Sequence, residues 1–136
     1  MTLVIDASVA FKWFAAEVDR DKALALLGGG ETLIAPDLVV SEVLSALWKA
    51  ARIGFMTERQ AHESLQPLER AFGRLVPSLT LAKRAAKVAF SLDYPVYDAF
   101  YIALAEQERC AMITADERLL RKIRGTGFSK QVRKLA

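Results

Sequence analysis

The chain has 136 residues, a length that suits one domain with a substantial core, and 53% of them are hydrophobic. Its net charge at pH 7 is +3, and its single cysteine, Cys110, excludes an internal disulfide and a zinc site built from cysteines. No apolar run is long enough to span a membrane, and a strand predicted directly after Met1 leaves no room for a signal peptide. We therefore expect a cytoplasmic protein with one domain over 1–136 and no membrane partner.

The first half of the chain predicts short apolar strands that alternate with helices. The three consecutive glycines at 28–30 end a helix and are not a P-loop, because no Gly-Lys-Ser/Thr follows them. Gly54 is the stop signal of a longer helix. The predicted elements are a strand at 2–5, helical segments at 8–17 and 21–27, a strand at 32–35, and a helix from Pro36 to about Ile53.

The second half continues the same alternation. Two capping boxes, Thr57–Gln60 and Thr114–Glu117, predict the starts of helices. The other predicted elements are a brief extended connection at 74–78, an amphipathic helix at 81–92, a buried helix at 98–108, a buried strand at 110–114, and a last edge strand within 130–135. This pattern predicts an α/β fold with a mainly parallel sheet covered by helices on both faces.

Four acids fall where such a fold gathers ligand-binding groups. Asp6 follows the first strand, Asp116 follows the strand at 110–114, and Asp98 begins the buried helix. Glu42 lies on a helix that is otherwise mostly apolar. Ligands of open α/β sheets bind beyond the carboxyl ends of the strands, so these acids are candidates for one site.

Each acid also has a simpler explanation. Asp6 and Asp98 suit helix caps, and Asp116 suits the first turn of a helix, where a negative charge is favourable. Glu42 has serines and Lys49 nearby on its helix and suits an exposed polar stripe. Taken one at a time the simpler explanations are preferred, and for the four together the spacing alone supports a shared site and the simpler explanations about equally.

Four segments of the chain, in order, resemble the signature segments of PIN-domain ribonucleases, and most closely the VapC-like toxins of bacterial toxin–antitoxin pairs. The segments are VIDASVAFKWF at 4–14, APDLVVSEVLSALWK at 35–49, YPVYDAFYIALAE at 94–106 and ITADERL at 113–119. The resemblance implies a PIN-like three-layer sandwich. It also implies a catalytic and metal-binding set with two supporting hydroxyls: Asp6, Glu42, Asp98 and Asp116, supported by Ser8 and Thr114.

A site of this kind favours Mg²⁺ or Mn²⁺, because all its ligands are carboxylate oxygens. We expect Asp6 and Asp98 to be direct ligands, and Glu42 and Asp116 to hold waters or position the nucleophile. The only histidine, His62, is expected at the surface, so no histidine pair provides a zinc site or a metal-free acid and base.

The resemblance implies a metal-dependent endoribonuclease that acts as the toxin of a type II pair and leaves a 5′-phosphate. Two alternatives remain: a housekeeping RNA-processing nuclease, and a non-catalytic RNA-binding module on the same fold. A receiver domain and an Asp-x-Asp phosphatase are disfavoured, because Asp6 is followed by Ala7 and Ser8 rather than by a further acid.

The expected partners are RNA, a cognate antitoxin and a second copy of the chain. Seven Lys or Arg and no acid occur between Arg118 and Ala136, and the candidates for phosphate contact are Lys12, Lys49 and the helix at 118–124. Trp13 and Phe14 suit either base stacking or, preferentially, packing. An apolar groove for the antitoxin would use Leu44, Leu47, Trp48, Phe55 and Met56, although Leu44 and Leu47 also suit the core.

Overall fold

A five-stranded sheet forms the centre of the computed structural model, which describes residues 1–136. The strands are β1 (Thr2–Ile5), β2 (Thr32–Pro36), β3 (Arg74–Val76), β4 (Ala111–Thr114) and β5 (Val132–Lys134). Their order across the sheet is β3-β2-β1-β4-β5, and every neighbouring pair is parallel. The register aligns Leu3 with Leu33 on one side and with Ala111 on the other. β1 and β4 therefore lie side by side in the interior of the sheet, and both end at the same edge.

Eight α-helices surround the sheet. They are α1 (Ala7–Lys12), α2 (Arg20–Leu27), α3 (Leu38–Arg52), α4 (Glu58–Glu63), α5 (Leu65–Ala71), α6 (Ser78–Leu92), α7 (Val96–Glu108) and α8 (Glu117–Ile123), with a short 3₁₀-helix at Gly127–Lys130. α7 packs across β1, β2 and β4 with α6 beside it, while α1 and α3 pack on each other and on the sheet. The predicted α/β sandwich with helices around a parallel sheet is confirmed. No helix is both long and apolar enough to cross a membrane.

The apolar side chains that the strand and helix patterns direct inwards form one continuous core. Trp13 belongs to it: its ring packs against Phe72, and its indole N–H donates to the carbonyl of Ala23 at 2.8 Å. Phe14 is half-buried in edge-to-face contact with Trp13. The packing interpretation of these two aromatic residues is therefore correct.

One strand was not predicted. The segment expected to be a brief extended connection contains β3, which pairs with β2 at the edge of the sheet. Only three residues pair, Arg74 is exposed and Leu75 is half-buried, so the segment lacks the apolar run that marks a buried strand. The last edge strand, in contrast, was predicted within 130–135 and is β5.

The helix starts are partly as predicted. Thr57 and Gln60 form the expected capping box at α4. The second predicted capping box is wrong: Thr114 is the last residue of β4, and Asp116 caps α8 by accepting from the backbone N–H groups of Arg118 and Leu119. The cap interpretation of Asp98 is also wrong, because α7 begins at Val96.

Candidate active site

Asp6 lies where β1 passes into α1, with its carboxylate buried at the carboxyl end of the sheet. Its Oδ1 accepts from the backbone N–H of Val9 at 3.1 Å and from the hydroxyl of Ser8 at 2.6 Å. Its Oδ2 accepts from the hydroxyl of Thr114. Burial raises the pKa of Asp6, these hydrogen bonds offset part of the rise, and the resulting pKa is about 6. Asp6 thus both caps a helix and holds a fixed carboxylate at the sheet edge.

The hydroxyls of Ser8 and Thr114 join the ends of β1 and β4. Ser8 Oγ accepts from the backbone N–H of Ala115 at 3.0 Å, and Thr114 Oγ1 accepts from that of Asp116 at 3.1 Å. The two hydroxyl oxygens are 3.4 Å apart. Because each hydroxyl also donates to Asp6, its donor and acceptor roles are both used, and the Asp6 carboxylate is held in one orientation.

Asp98 is the least satisfied acid of the four. It lies in the first turn of α7, is half-buried, and receives no hydrogen bond from any protein group. Burial, and after it the negative charges of Asp6, Asp116 and Glu42 in that order of effect, together raise the pKa of Asp98 to about 7. All three other predicted site acids therefore lie within electrostatic range of Asp98.

Glu42 is held by a residue that the sequence did not reveal. The hydroxyl of Tyr101 donates to Glu42 Oε1 at 2.6 Å, and Tyr101 is only 1% exposed. Burial raises the pKa of Glu42, and the hydrogen bond from Tyr101 lowers it in part. Tyr101 lies three residues after Asp98 on α7, so both side chains project from the same face of the helix. That spacing was the available signal for a second site residue on α7.

Asp116 completes the group from the start of α8. Its Oδ1 is engaged by the backbone of that helix, and its negative charge raises the pKas of both Asp6 and Asp98. The structure thus brings the four predicted acids and the two predicted hydroxyls together at one edge of the sheet. His62 lies apart from them, exposed on α4.

The donor set fits a hard divalent cation, although no three of these acids are close enough together to hold one by themselves. Mg²⁺ commonly uses only one or two carboxylates and completes its shell with water and substrate phosphate. A carboxylate accepts about four bonds and Asp6 uses three, so one position remains on its Oδ2. The carboxylate of Asp98 is entirely free of protein donors. Asp98 thus has every acceptor position free and Asp6 has one, while Glu42 and Asp116 each keep one carboxylate oxygen without a hydrogen bond.

A cleft of about 380 Å³ lies beside Glu42 and is also bordered by Ser8 and Lys12. The amine of Lys12 is not free, because it contacts Glu17 at 3.0 Å and the carbonyl of Val18 at 2.8 Å. The expectation that Lys12 holds an RNA phosphate is therefore not supported. Its charge is used to fix the loop after α1.

Comparison with known proteins places the chain in a family. The PIN domain model matches residues 3–125. Ribonuclease VapC3 of Pyrobaculum aerophilum is 35% identical over 124 residues, which cover 90% of this chain and 95% of that protein. The chain therefore belongs to the PIN domain family, and the resemblance inferred from the four segments is confirmed.

Solved structures agree with the fold. The crystal structure of PAE2754 from Pyrobaculum aerophilum matches with a TM-score of 0.73 and 25% identity, covering 99% of this chain and 90% of that chain. A toxin–antitoxin complex from Klebsiella pneumoniae contains a chain that matches with a TM-score of 0.65 and 14% identity, covering 98% of both chains. The second likeness concerns the fold alone.

Proposed function

We propose that this protein is a metal-dependent endoribonuclease that hydrolyses RNA phosphodiester bonds at the four-carboxylate site, as the toxin of a type II toxin–antitoxin pair. The observation that carries the proposal is the half-buried carboxylate of Asp98. It accepts no hydrogen bond from the protein and lies in the electrostatic field of three other acids. A group in this position is costly unless a cation is bound. The similarity to VapC ribonucleases supplies the substrate class.

The chain's own residues have distinct roles in this proposal. When bound, Mg²⁺ or Mn²⁺ supplies positive charge that acidifies water and offsets negative charge on the phosphate. Asp6 and Asp98 would hold the ion, and the hydrogen bonds from Ser8 and Thr114 fix the orientation of the Asp6 carboxylate. Glu42, fixed by Tyr101, and Asp116, fixed by the start of α8, orient the surrounding waters, including the attacking one. The product is a cleaved strand with a 5′-phosphate.

The test is cleavage of a defined single-stranded RNA in Mg²⁺, in Mn²⁺ and in EDTA. Asp98→Asn should abolish the metal-dependent cleavage and weaken binding of Mn²⁺, because it removes the free carboxylate. Asp21→Asn is the matched control: Asp21 is an exposed acid on α2, so this substitution should leave cleavage and Mn²⁺ binding unchanged. Full cleavage by Asp98→Asn would refute the site assignment.

An antitoxin is the proposed protein partner, and α3 and α4 offer a surface for it. A groove of about 250 Å³ lies between them, lined in part by Leu44 and Trp48, which are 42% and 55% exposed. Leu47 is fully buried, as its core interpretation predicted, whereas the core interpretation of Leu44 is wrong. We propose that an apolar segment of the antitoxin occupies this groove.

The antitoxin proposal is tested with a short protein encoded beside this gene. Expression of the chain alone should arrest growth, and the neighbouring protein should relieve the arrest. Trp48→Glu should keep the ribonuclease activity, and the neighbouring protein should no longer relieve the growth arrest that this variant causes. A housekeeping nuclease, the alternative function, would cut RNA in the cytoplasm without arresting growth and without such a partner.

A homodimer is the proposed assembly. Leu79 and Phe90 lie eleven residues apart on α6, which places them on the same helix face, and they are 87% and 88% exposed. Apolar side chains this exposed favour burial against a second copy. Light scattering should give the mass of two chains, and Phe90→Glu should give one. A wild-type protein that remains monomeric would contradict the assembly.

A further inference from the structure

A recess of about 450 Å³ lies where α6 passes into α7, close in sequence to Asp98. Its wall is mostly apolar and includes Phe90, Tyr94 and Val96. Tyr94 is half-buried and packs partly on the core, so its ring has a fixed position while one side remains open to the recess. The proposed catalytic residues do not use this surface.

Tyr94 and two arginines of α8 both lie near the acids: Tyr94 is four residues before Asp98, and Arg118 and Arg121 follow Asp116, which caps their helix. Burial raises the pKa of Tyr94, the charges of Asp116 and Asp98 raise it further, and those of Arg118 and Arg121 lower it. Its hydroxyl is therefore within electrostatic range of both groups. Arg118 and Arg121 are exposed and belong to no ion pair. The acids thus have an aromatic ring and two cations without ion-pair partners in their neighbourhood.

A phosphate-bearing substrate needs such cations here. The four acids repel an RNA backbone, and nearby guanidinium groups offset this repulsion and hold the phosphates on either side of the reacting one. Single-stranded RNA exposes its bases, and aromatic side chains stack on them without requiring one sequence. An apolar recess next to a fixed ring suits a base better than it suits a charged group.

We propose that Tyr94, Arg118 and Arg121 form a subsite for single-stranded RNA beside the acids. The ring of Tyr94 stacks on a base next to the scissile bond, and the two arginines hold flanking phosphates. This inference rests on the proposed ribonuclease function and names the strand-binding surface of the same site. The competing occupant is a second copy of the chain, because Phe90 borders both the recess and the proposed dimer face.

The test is binding of a fluorescein-labelled single-stranded RNA dodecamer in EDTA, measured by anisotropy, so that no cleavage intervenes. Tyr94→Leu keeps the apolar bulk and loses the stacking face, and should weaken binding by roughly fivefold to a hundredfold. Tyr94→Phe keeps the ring and should bind within about twofold of the wild type. Equal Kd values of Tyr94→Leu and the wild type for the dodecamer would overturn the proposal that Tyr94 stacks on a base.

The arginines are tested through salt dependence. Arg121→Gln should reduce the slope of log Kd against log salt by about 0.7, the value for one lost phosphate contact on a single strand. Arg70→Gln is the matched control, since Arg70 is exposed on α5 and also unpaired. An unchanged slope in Arg121→Gln, or an equal change in Arg70→Gln, would overturn the phosphate role.

Two further readouts separate the competing explanations. If Tyr94→Leu changes the mass of the protein in light scattering, the recess is occupied by a second copy and the RNA subsite is refuted. If the wild type binds the dodecamer through Tyr94 but Asp98→Asn still cleaves RNA, the catalytic assignment fails and the subsite stands. If cleavage depends on Asp98 while Tyr94→Leu keeps the wild-type KM, the subsite alone fails.

Discussion

The two edges of the sheet differ sharply in charge. The carboxyl edge holds Asp6 and Asp116, each of which caps a helix with its side chain. The amino edge has a cleft of about 470 Å³ with Arg109, Lys130 and Arg133 in its lining. In a parallel sheet the connecting helices run opposite to the strands, so helix N-termini collect at one edge and C-termini at the other. Acids suit the first edge and cations the second, because of the helix dipole.

The two edges also differ in whether their charged side chains are neutralised by other protein groups. Asp6 and Asp116 are stabilised by helix starts, but Asp98 has no donor and lies in the field of the other acids. The one acid in the lining of the amino-edge cleft, Glu108, is paired with Arg74. The carboxyl edge thus contains charge that the protein alone does not neutralise, whereas the amino edge contains cations that need no partner because they face water.

The largest expected effect comes from removing a fixed ligand at the carboxyl edge. Asp6→Asn should lower metal-dependent RNA cleavage at least about a hundredfold, more than the loss of a supporting group around a metal usually costs. The fold should persist, because asparagine also caps helices. Cleavage rates with Mg²⁺ and a thermal melt of the same preparation check both statements. Wild-type cleavage by this variant would remove Asp6 from the site.

The next effect tests the support of Glu42. Tyr101→Phe keeps the buried ring and removes only the hydroxyl that donates to Glu42. Affinity for Mn²⁺, followed by calorimetry, should fall about tenfold to a hundredfold. Tyr97→Phe is a suitable control, because Tyr97 is exposed on the same helix and forms no hydrogen bond with the site acids. Equal affinities in the two variants would show that Tyr101 only fills space.

The pH dependence should distinguish the metal-bound from the metal-free protein. The pKas of Asp6 and Asp98 are raised to about 6 and about 7, so folding favours their protonated forms. Their contribution to the stability of the metal-free protein is complete below the unfolded pKa, near 4, and is lost as pH rises through 6 and 7. Protonation of these two acids should therefore raise the Tm in EDTA as the pH is lowered from 8 to 5.

Added Mn²⁺ should give the opposite trend, because the ion needs both carboxylates ionised. The gain in Tm on adding Mn²⁺ should be largest at pH 8 and absent near pH 5. A gain that does not change with pH would mean that the ion binds elsewhere.

A smaller effect follows from the repulsion at Asp98. Asp98→Asn should raise the Tm in EDTA at pH 8 by a few degrees, because it removes a desolvated charge. The difference should shrink as the pH falls and disappear below the unfolded pKa, near 4, where the wild-type group is protonated in both the folded and the unfolded state. A lower Tm at pH 8 would mean that Asp98 stabilises the fold.

The smallest effect is expected at the amino edge. Arg133→Gln should leave the rate of RNA cleavage and the equilibrium constant for folding within about twofold of the wild-type values, because the side chain is exposed. Measured beside Asp6→Asn, it gives the contrast between the edges directly. A large loss of cleavage in Arg133→Gln would mean that RNA also contacts the amino edge.

Much of this arrangement follows from local sequence signals. Short apolar runs give the interior strands, and an acid that closely follows such a strand, as Asp6 and Asp116 do, falls at the carboxyl edge of the sheet. Asp6 and Asp116 were therefore predictable as neighbours. Glu42 and Asp98 were assigned through the family segments, because neither follows a strand.

Other features depend on contacts between distant parts of the chain. The hydrogen bond from Tyr101 to Glu42 joins residues 59 apart, and no local pattern encodes it. Thr114 looked like a helix cap because Thr-x-x-Glu is a capping pattern, but its hydroxyl is taken by Asp6 across 108 positions. Lys12 looked like a free cation, yet the loop after α1 folds back and pairs it with Glu17.

The pairing of β5 with β4 helps to hold the proposed active site in place. The backbone N–H of Leu135 donates to the carbonyl of Thr114 at 2.8 Å, and that residue in turn orients Asp6. Trimming the chain before Val132 would expose the side of β4 and release Thr114. We therefore expect proteolytic loss of these few residues to reduce RNA cleavage, although all four acids remain in the chain.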